Sequence, residues 1–216
     1  MTLADIERAC ASVKGVVFDF GGVISESPLT DEWDVYPYCE KLGVDRAAVD
    51  RGWARYRNIF DGGLISFAEY YGRTFADAGA TVTAEQLEDL WELDSVSWVR
   101  NLRGDTLELM RRLKSSGKKI GVLSNMSNEF YERLYVPRCG EYRALLDAEV
   151  ISSLYKLYKP EEPIYRLAES KMGLAPGQLM FLDDTEANVV AARSFGWHSE
   201  VYPKSQGFRD CNSSVV

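Results

Sequence analysis

The sequence predicts an α/β fold: a parallel sheet with helices on both faces and a helical block inserted after the first strand. Three observations predict it. Short apolar runs at Val16–Phe18, Lys119–Leu123 and Leu179–Leu182 alternate with stretches of helical periodicity, the pattern of strand–helix–strand units. Each run ends at a polar side chain, namely Asp19, Ser124 and the pair Asp183-Asp184. Residues 25–100, by contrast, carry helix signals and dense aromatics.

The elements follow in order. Thr2 to about Ser12 reads as a short amphipathic helix with Thr2 as its N-cap. Val16-Val17-Phe18 is a buried strand that leaves Asp19 at its carboxyl end, where open α/β sheets bind ligands. Gly21-Gly22 then permits a tight turn and a close approach of backbone to ligand. Within the insertion, Ser66-Phe67-Ala68-Glu69 and Thr83-Ala84-Glu85-Gln86 match the capping box of a helix start. Its aromatics (Trp33, Tyr36, Tyr38, Trp53, Tyr56, Phe60, Phe67, Tyr70, Tyr71) are expected mostly to build its own core, since a small unit has few other ways to bury area.

Asp105–Ser116 is a helix with Leu109, Met110 and Leu113 on one face and Gly117 as its stop, and the strand Lys119–Leu123 follows. A helix from about Asn128 leads to a strand at Ala148–Ile151. The loop Ser152–Pro160 carries Lys159-Pro160, whose proline holds Lys159 extended. Ile164, Leu167 and Ala168 mark a helix closed by Gly173, and the strand Leu179–Leu182 runs into Asp183-Asp184. Ala187, Val190 and Ala191 mark a helix stopped by Gly196, Trp197–Tyr202 is a last strand, and 204–216 a polar tail. Residues 1–24 with 101–216 are thus the expected sheet domain, and 25–100 the helical insertion.

Composition narrows the function. A net charge of −8 over 216 residues argues against nucleic acid or an anionic membrane as partner. No apolar run approaches the ~20 residues of a membrane span, and the first residues lack the basic start and apolar block of a signal peptide. Cys10, Cys39, Cys139 and Cys211 are scattered, which fits reduced thiols in a cytoplasmic protein better than a disulfide scaffold or zinc site. His198 is the only histidine, far from any serine-nucleophile motif, so triad chemistry is disfavoured. The glycine cradles of dinucleotide and triphosphate sites are missing.

Asp19, Ser124, Lys159, Asp183 and Asp184 would converge on one edge of a parallel sheet. Each alone has an ordinary explanation: a turn aspartate, a helix cap, a solvated lysine. Their shared placement at strand ends is hard to obtain by capping alone. Three carboxylates on one edge repel unless a divalent cation lies between them, and Mg²⁺ accepts two carboxylates, a backbone carbonyl and a phosphate oxygen. Lys159 and the Ser124 hydroxyl suit the remaining phosphate oxygens. Asp19 is then placed to attack phosphorus and form an aspartyl-phosphate that water hydrolyses.

In these motifs the chain resembles the haloacid dehalogenase superfamily of hydrolases. Phe18-Asp19-Phe20-Gly21-Gly22-Val23 is similar to its first motif, Leu123-Ser124-Asn125 to its second, Lys159-Pro160 to its third, and Phe181-Leu182-Asp183-Asp184 with Asn188 to its fourth. The insertion resembles the family's helical cap of the first type, on a Rossmann-like core. Gly62-Gly63-Leu64-Ile65-Ser66 and Asp183-Asp184-Thr185-Glu186-Ala187-Asn188 are most similar to the sugar-phosphate phosphatase branch, typified by bacterial glucose-1-phosphate phosphatases. The resemblance implies that Asp19 is nucleophile and metal ligand, and that the Gly21 carbonyl also binds metal. Asp183 and Asp184 share the remaining metal role in an order left open, and Ser124, the Asn125 backbone and Lys159 hold phosphate.

One position departs from the pattern. Phosphatases of the superfamily usually carry a second aspartate, as general acid and base, where this chain has Gly21. A missing proton donor typically lowers the rate by ~10²–10⁴, so slow turnover of alkyl phosphates and better turnover of activated esters is expected. Two rivals remain: a metal-free 2-haloacid dehalogenase using Asp19, which the paired acids argue against, and a catalytically weak fold used for binding or regulation. Gly21, and Lys156 in the loop before the third motif, near which relatives often have glycine, keep the second open. In the insertion, Arg51, Arg55 and Arg57 with Trp53 and Tyr56 either face the site or form a solvated helix face over buried aromatics.

Overall fold

The computed structural model describes residues 2–26 and 36–203, so Trp33, Cys211 and the polar tail lie outside the described residues. Five strands form one parallel sheet: β1 Gly15–Phe18, β2 Lys119–Ser124, β3 Ala148–Ile151, β4 Leu179–Asp183 and β5 His198–Val201, in the order β3-β2-β1-β4-β5. The chain leaves β1 toward β2 and β3, then returns to β1's other side for β4 and β5. Strand order therefore reverses at β1. Crevices at such a reversal are where open parallel sheets hold ligands. Phe18 pairs with Val122 on one side and Leu182 on the other, and the Asp19 amide continues the ladder to the Leu182 carbonyl at 2.9 Å.

Side-chain alternation along β1 divides the interior into two layers. Val16 and Phe18 join Ile120, Val122, Met180 and Leu182 with the helices Leu3–Ala9 and Gly104–Ser115. Val17, Leu123 and Phe181 face Ile164, Tyr165 and Ala168 of the helix Glu162–Met172 and Ala192 of Glu186–Ser194. Thr2 caps the first helix as expected, and Gly117, Gly173 and Gly196 sit at positive φ where helices stop. The loop after β3 differs from expectation. Ser152–Tyr155 forms a helical turn that ends at Lys156, which holds φ +58°. That backbone suits glycine, and the lysine occupies it while its Nζ donates to the Gly63 carbonyl at 2.7 Å.

The insertion is helical throughout its described part: Tyr36–Leu42, Arg46–Asp61, Phe67–Asp77, Ala84–Trp91 and a continuation to Arg100. Ser66 and Thr83 both close reciprocal capping boxes. Phe60 stacks on Tyr70 at 4.5 Å, Phe67 meets the edge of Trp91 at 5.0 Å, and Trp53 packs on Tyr71. This core is its own, yet it also runs without a break into the sheet layer that holds Phe20 and Phe130. The two crossings into the insertion lie side by side: Glu26 N donates to Asn101 O and Arg103 N to Ile24 O, both at 2.8 Å. On the far side it rests on the sheet domain through Ser152 to the Asp61 carbonyl and through the Phe67 amide to Glu129.

Candidate active site

At the carboxyl ends of β1, β2 and β4 a cavity of about 420 Å³ opens beneath the insertion. Asp19, Gly21, Ser124, Asn125, Lys159 and Asp184 all line it. Asp183 stands directly behind. The sheet therefore gathers the strand-end and loop residues that the sequence singled out, Asp19, Ser124, Lys159, Asp183 and Asp184, at the same rim.

Lys159 is the centre of the arrangement. Only 1% of its side chain is exposed, and Nζ lies 2.6 Å from Asp183 Oδ2 and 2.9 Å from Asp19 Oδ1. Burial opposes its charge, but the two carboxylates outweigh that and raise its pKa above the usual lysine range. The backbone of Lys159 is fixed by Asn125: its amide donates to Asn125 Oδ1 at 2.8 Å and its carbonyl accepts from Nδ2 at 3.0 Å. The asparagine side chain is thus a clamp on the lysine loop, a use that the motif alone did not reveal. Lys159-Pro160 is a cis peptide.

Asp19 Oδ1 accepts from the Phe20 amide at 2.7 Å as well as from Lys159, so neither bond engages Oδ2. Burial pushes its carboxyl up to about 7, against the pull of Lys159. Asp183 is wholly buried and accepts from Lys159, from Asn188 Nδ2 and from the Thr185 amide at 2.8 Å. Asp184 is different: it is exposed toward the cavity, and its side chain lies against Gly22. A Cβ on Gly22, which holds φ +70°, would come within 2.2 Å of Asp184 Oδ2. Glycine there makes room for the carboxylate.

Oxygens of Asp19, Asp183 and Asp184 lie within 4.8 Å of one another. Three carboxylates against one ammonium leave two negative charges, and every donor is oxygen. That set fits Mg²⁺ in charge and in ligand chemistry.

The roof of the cavity comes from the insertion. Arg57, Asn58 and Asp61 reach it from Arg46–Asp61, and Asp94, Ser95 and Trp98 from the segment before the return crossing. Arg57 Nε donates to Asp61 Oδ2 at 2.7 Å. Burial raises Asp61 and pushes Asp94 up to about 6, with Arg57 pulling both down. The sequence offered two accounts of this helix, and each holds for part of it. Arg57 faces the site, whereas Arg51 is exposed, Arg55 and Tyr56 bind Asp77, and Trp53 belongs to the aromatic core. Asp61, Asp94 and Trp98 were missed. The Arg57–Asp61 spacing of one helical turn was the available signal for the first of them.

The profile of the haloacid dehalogenase-like hydrolases matches residues 13–196 of this sequence, nearly all of the chain. The chain is a haloacid dehalogenase-like hydrolase. Among solved structures of the family, it resembles an enzyme from Bacteroides thetaiotaomicron in its magnesium complex, with a TM-score of 0.70, 21% identity, and coverage of 92% of this chain and 97% of that one. It also resembles the L-2-haloacid dehalogenase of Xanthobacter autotrophicus carrying covalently bound chloropropionic acid, with a TM-score of 0.59, 19% identity, and coverage of 87% and 76%. At these identities both likenesses concern the fold.

In sequence, the hydrolase is 25% identical over 87% of its length to acyl-CoA dehydrogenase family member 10 of Mus musculus, of which it spans 18%. It is 29% identical over 43% of its length to (S)-2-haloacid dehalogenase of Pseudomonas fluorescens, of which it spans 40%. The hydrolase thus spans under half of these curated relatives. Among its described residues no helix is long and apolar enough to cross a membrane, and Cys10, Cys39 and Cys139 are free and buried.

Proposed function

We propose that this hydrolase is a Mg²⁺-dependent phosphatase acting on a small phosphate monoester, by preference a sugar phosphate, through an aspartyl-phosphate on Asp19. Residues 25–100 serve as its cap over the core formed by 1–24 and 101–216. The observation that carries the reading is the charge count at the rim, where three clustered carboxylates share one buried lysine. Asp19, Asp184 and the Gly21 carbonyl would hold the ion, with Asp183 behind them, since its oxygens already take Lys159, Asn188 and Thr185. When bound, Mg²⁺ supplies neutralisation of the charge gathered on attacking carboxylate and phosphate.

Lys159 and Ser124 orient the phosphate, and the lysine keeps Asp19 Oδ1 occupied so that Oδ2 attacks phosphorus in line. The phosphorus–ester oxygen bond breaks with its electron pair on the leaving oxygen. Because residue 21 has no side chain, that oxygen takes its proton from water, which favours leaving groups needing little help. Water then cleaves the acyl phosphate, freeing inorganic phosphate and restoring Asp19. The enclosing helices and the free buried thiols agree with a small-molecule substrate and a reducing, cytoplasmic setting.

The haloacid dehalogenase relatives favour a second reading, in which Asp19 attacks the halogen-bearing carbon without metal. The acidic rim opposes it, since Asp184 would stand unbalanced beside an anionic acid substrate. Phosphate release from p-nitrophenyl phosphate and a panel of sugar phosphates, and chloride release from 2-chloropropionate, each with Mg²⁺ or EDTA, separate the two. Phosphate release only with Mg²⁺ is expected. Chloride release undiminished by EDTA overturns the phosphatase reading, and silence in every arm points to a binding role instead.

A further inference from the structure

The cap side of the cavity carries more ionisable chemistry than phosphoryl transfer uses. Arg57, Asp61 and Asp94 line the same space as Asp19, on elements that contribute nothing to the rim of the sheet. Asp61 and Asp94 are 4% and 5% exposed, whereas 43% of the Arg57 side chain remains open. Asp61 has its salt bridge with Arg57. Asp94 forms no ion pair within 4.0 Å among the described residues, and its carboxylate has Ser95 Oγ at 3.5 Å and the Tyr71 hydroxyl beside it. A carboxylate offers about four acceptor positions, so Asp94 retains capacity toward the cavity. Burying such a group lowers stability, and packing alone does not call for it.

We propose that Arg57, Asp61 and Asp94 form the leaving-group subsite, and that it accepts a hydroxyl-rich, uncharged or amine-bearing group and rejects one with a second anionic group. The proposal rests on the phosphatase reading and adds the selectivity of the same cavity. Two carboxylates to one guanidinium leave the subsite with one net negative charge. A hydroxyl satisfies both partners, donating to Asp94 or Asp61 and accepting from Arg57, and an ammonium group balances the excess charge. A carboxylate or second phosphate gains one cation and meets two anions. Trp98, Phe20 and Phe130 also line the cavity and supply apolar surface for the C–H groups of a ring. The cavity volume of about 420 Å³ leaves space for such a group beside the phosphate.

The test uses three substrates that share an anomeric phosphate and differ in one substituent: glucose 1-phosphate, glucosamine 1-phosphate and glucuronate 1-phosphate. p-Nitrophenyl phosphate with Mg²⁺ is measured alongside. In the unaltered protein kcat/KM for glucuronate 1-phosphate is expected at least about tenfold below that for glucose 1-phosphate, with the amine at or above glucose. Asp94→Asn removes the excess charge and narrows the glucose-to-glucuronate ratio. Arg57→Gln deepens it and widens the ratio. A general loss of structure lowers all three substrates together and cannot move one ratio in opposite directions. Equal use of glucose and glucuronate esters, or ratios that move the same way or not at all in the two variants, overturns the subsite. Failure to hydrolyse p-nitrophenyl phosphate and all three sugar phosphates overturns the phosphatase reading and the subsite with it, whereas hydrolysis without discrimination overturns the subsite alone.

Discussion

Asp94→Asn is expected to make the protein more stable at pH 8, although it replaces a residue of the cavity wall. Burial lifts the Asp94 carboxyl from its ordinary 3.8 to about 6 even with Arg57 nearby. An acid whose pKa is raised by folding holds its proton more tightly in the native state. Its ionisation therefore penalises the fold above about pH 6, and the penalty is relieved as pH falls through 6 toward 3.8. Fully ionised, a shift of that size corresponds to about 3 kcal/mol. An amide of the same shape escapes the penalty. At pH 8 the melting temperature of Asp94→Asn should then rise by up to about 10 °C, given the usual slope for a chain of this length. At pH 5, between the two values, roughly half of the penalty remains, so the gain should shrink to about half of its size at pH 8. Both proteins keep Asp19, Asp61 and Asp184, so their difference reports residue 94 together with its coupling to Arg57 and Asp61. Thermal denaturation of both proteins at the two pH values decides it. A variant that melts below wild type at pH 8, or one whose advantage is the same at both pH values, refutes the reasoning.

Lys159→Met leaves Asp19 and Asp183 buried without their shared counter-ion, so urea denaturation should show a loss of about 3–5 kcal/mol, and an unchanged midpoint would contradict that. Gly22→Ala places a Cβ 2.2 Å from Asp184 Oδ2 at φ +70°, so Mg²⁺-dependent turnover should fall and the Mg²⁺ concentration at half-activity should rise. Gly79→Ala, with φ +89° and nothing within 4 Å, is the control that bears the backbone strain alone and should keep its activity. Asp19→Asn should reduce phosphate release by at least about 10³-fold, and turnover within tenfold of wild type would remove Asp19 from the role of nucleophile.

The rim of the site was legible because each of its members ends a β-strand or precedes a proline, and such positions leave local marks. Apolar runs stopping at Asp19, Ser124 and Asp183 are visible without knowing how the strands pair, and a parallel sheet brings their ends together whatever the order. The helix starts at Ser66 and Thr83 were legible for the same reason, since a capping box spans only four residues. The cap wall left no comparable mark. Asp94 and Trp98 lie in a helical stretch whose register against the cavity depends on how the whole insertion seats, and nothing within a helical turn of either residue encodes that. Arg57 was readable only as one of several arginines on a helix. The side-chain role of Asn125 was hidden too, because a clamp on Lys159 spans 34 residues of sequence.

The contacts that seat the far side of the insertion have a bearing on how such an enzyme can change. Lys156 reaches the carbonyl of Gly63, Ser152 reaches that of Asp61, and Glu129 receives the amide of Phe67. In all three the side chain belongs to the sheet domain and the partner is main chain. These three bonds use main-chain atoms of the insertion, so the side chains of Arg57 and Asn58 are not spent on them. Side chains on the cavity-facing part of the insertion can therefore vary while these bonds keep the insertion in register over Asp19, so a change of lining need not await a compensating change beneath it.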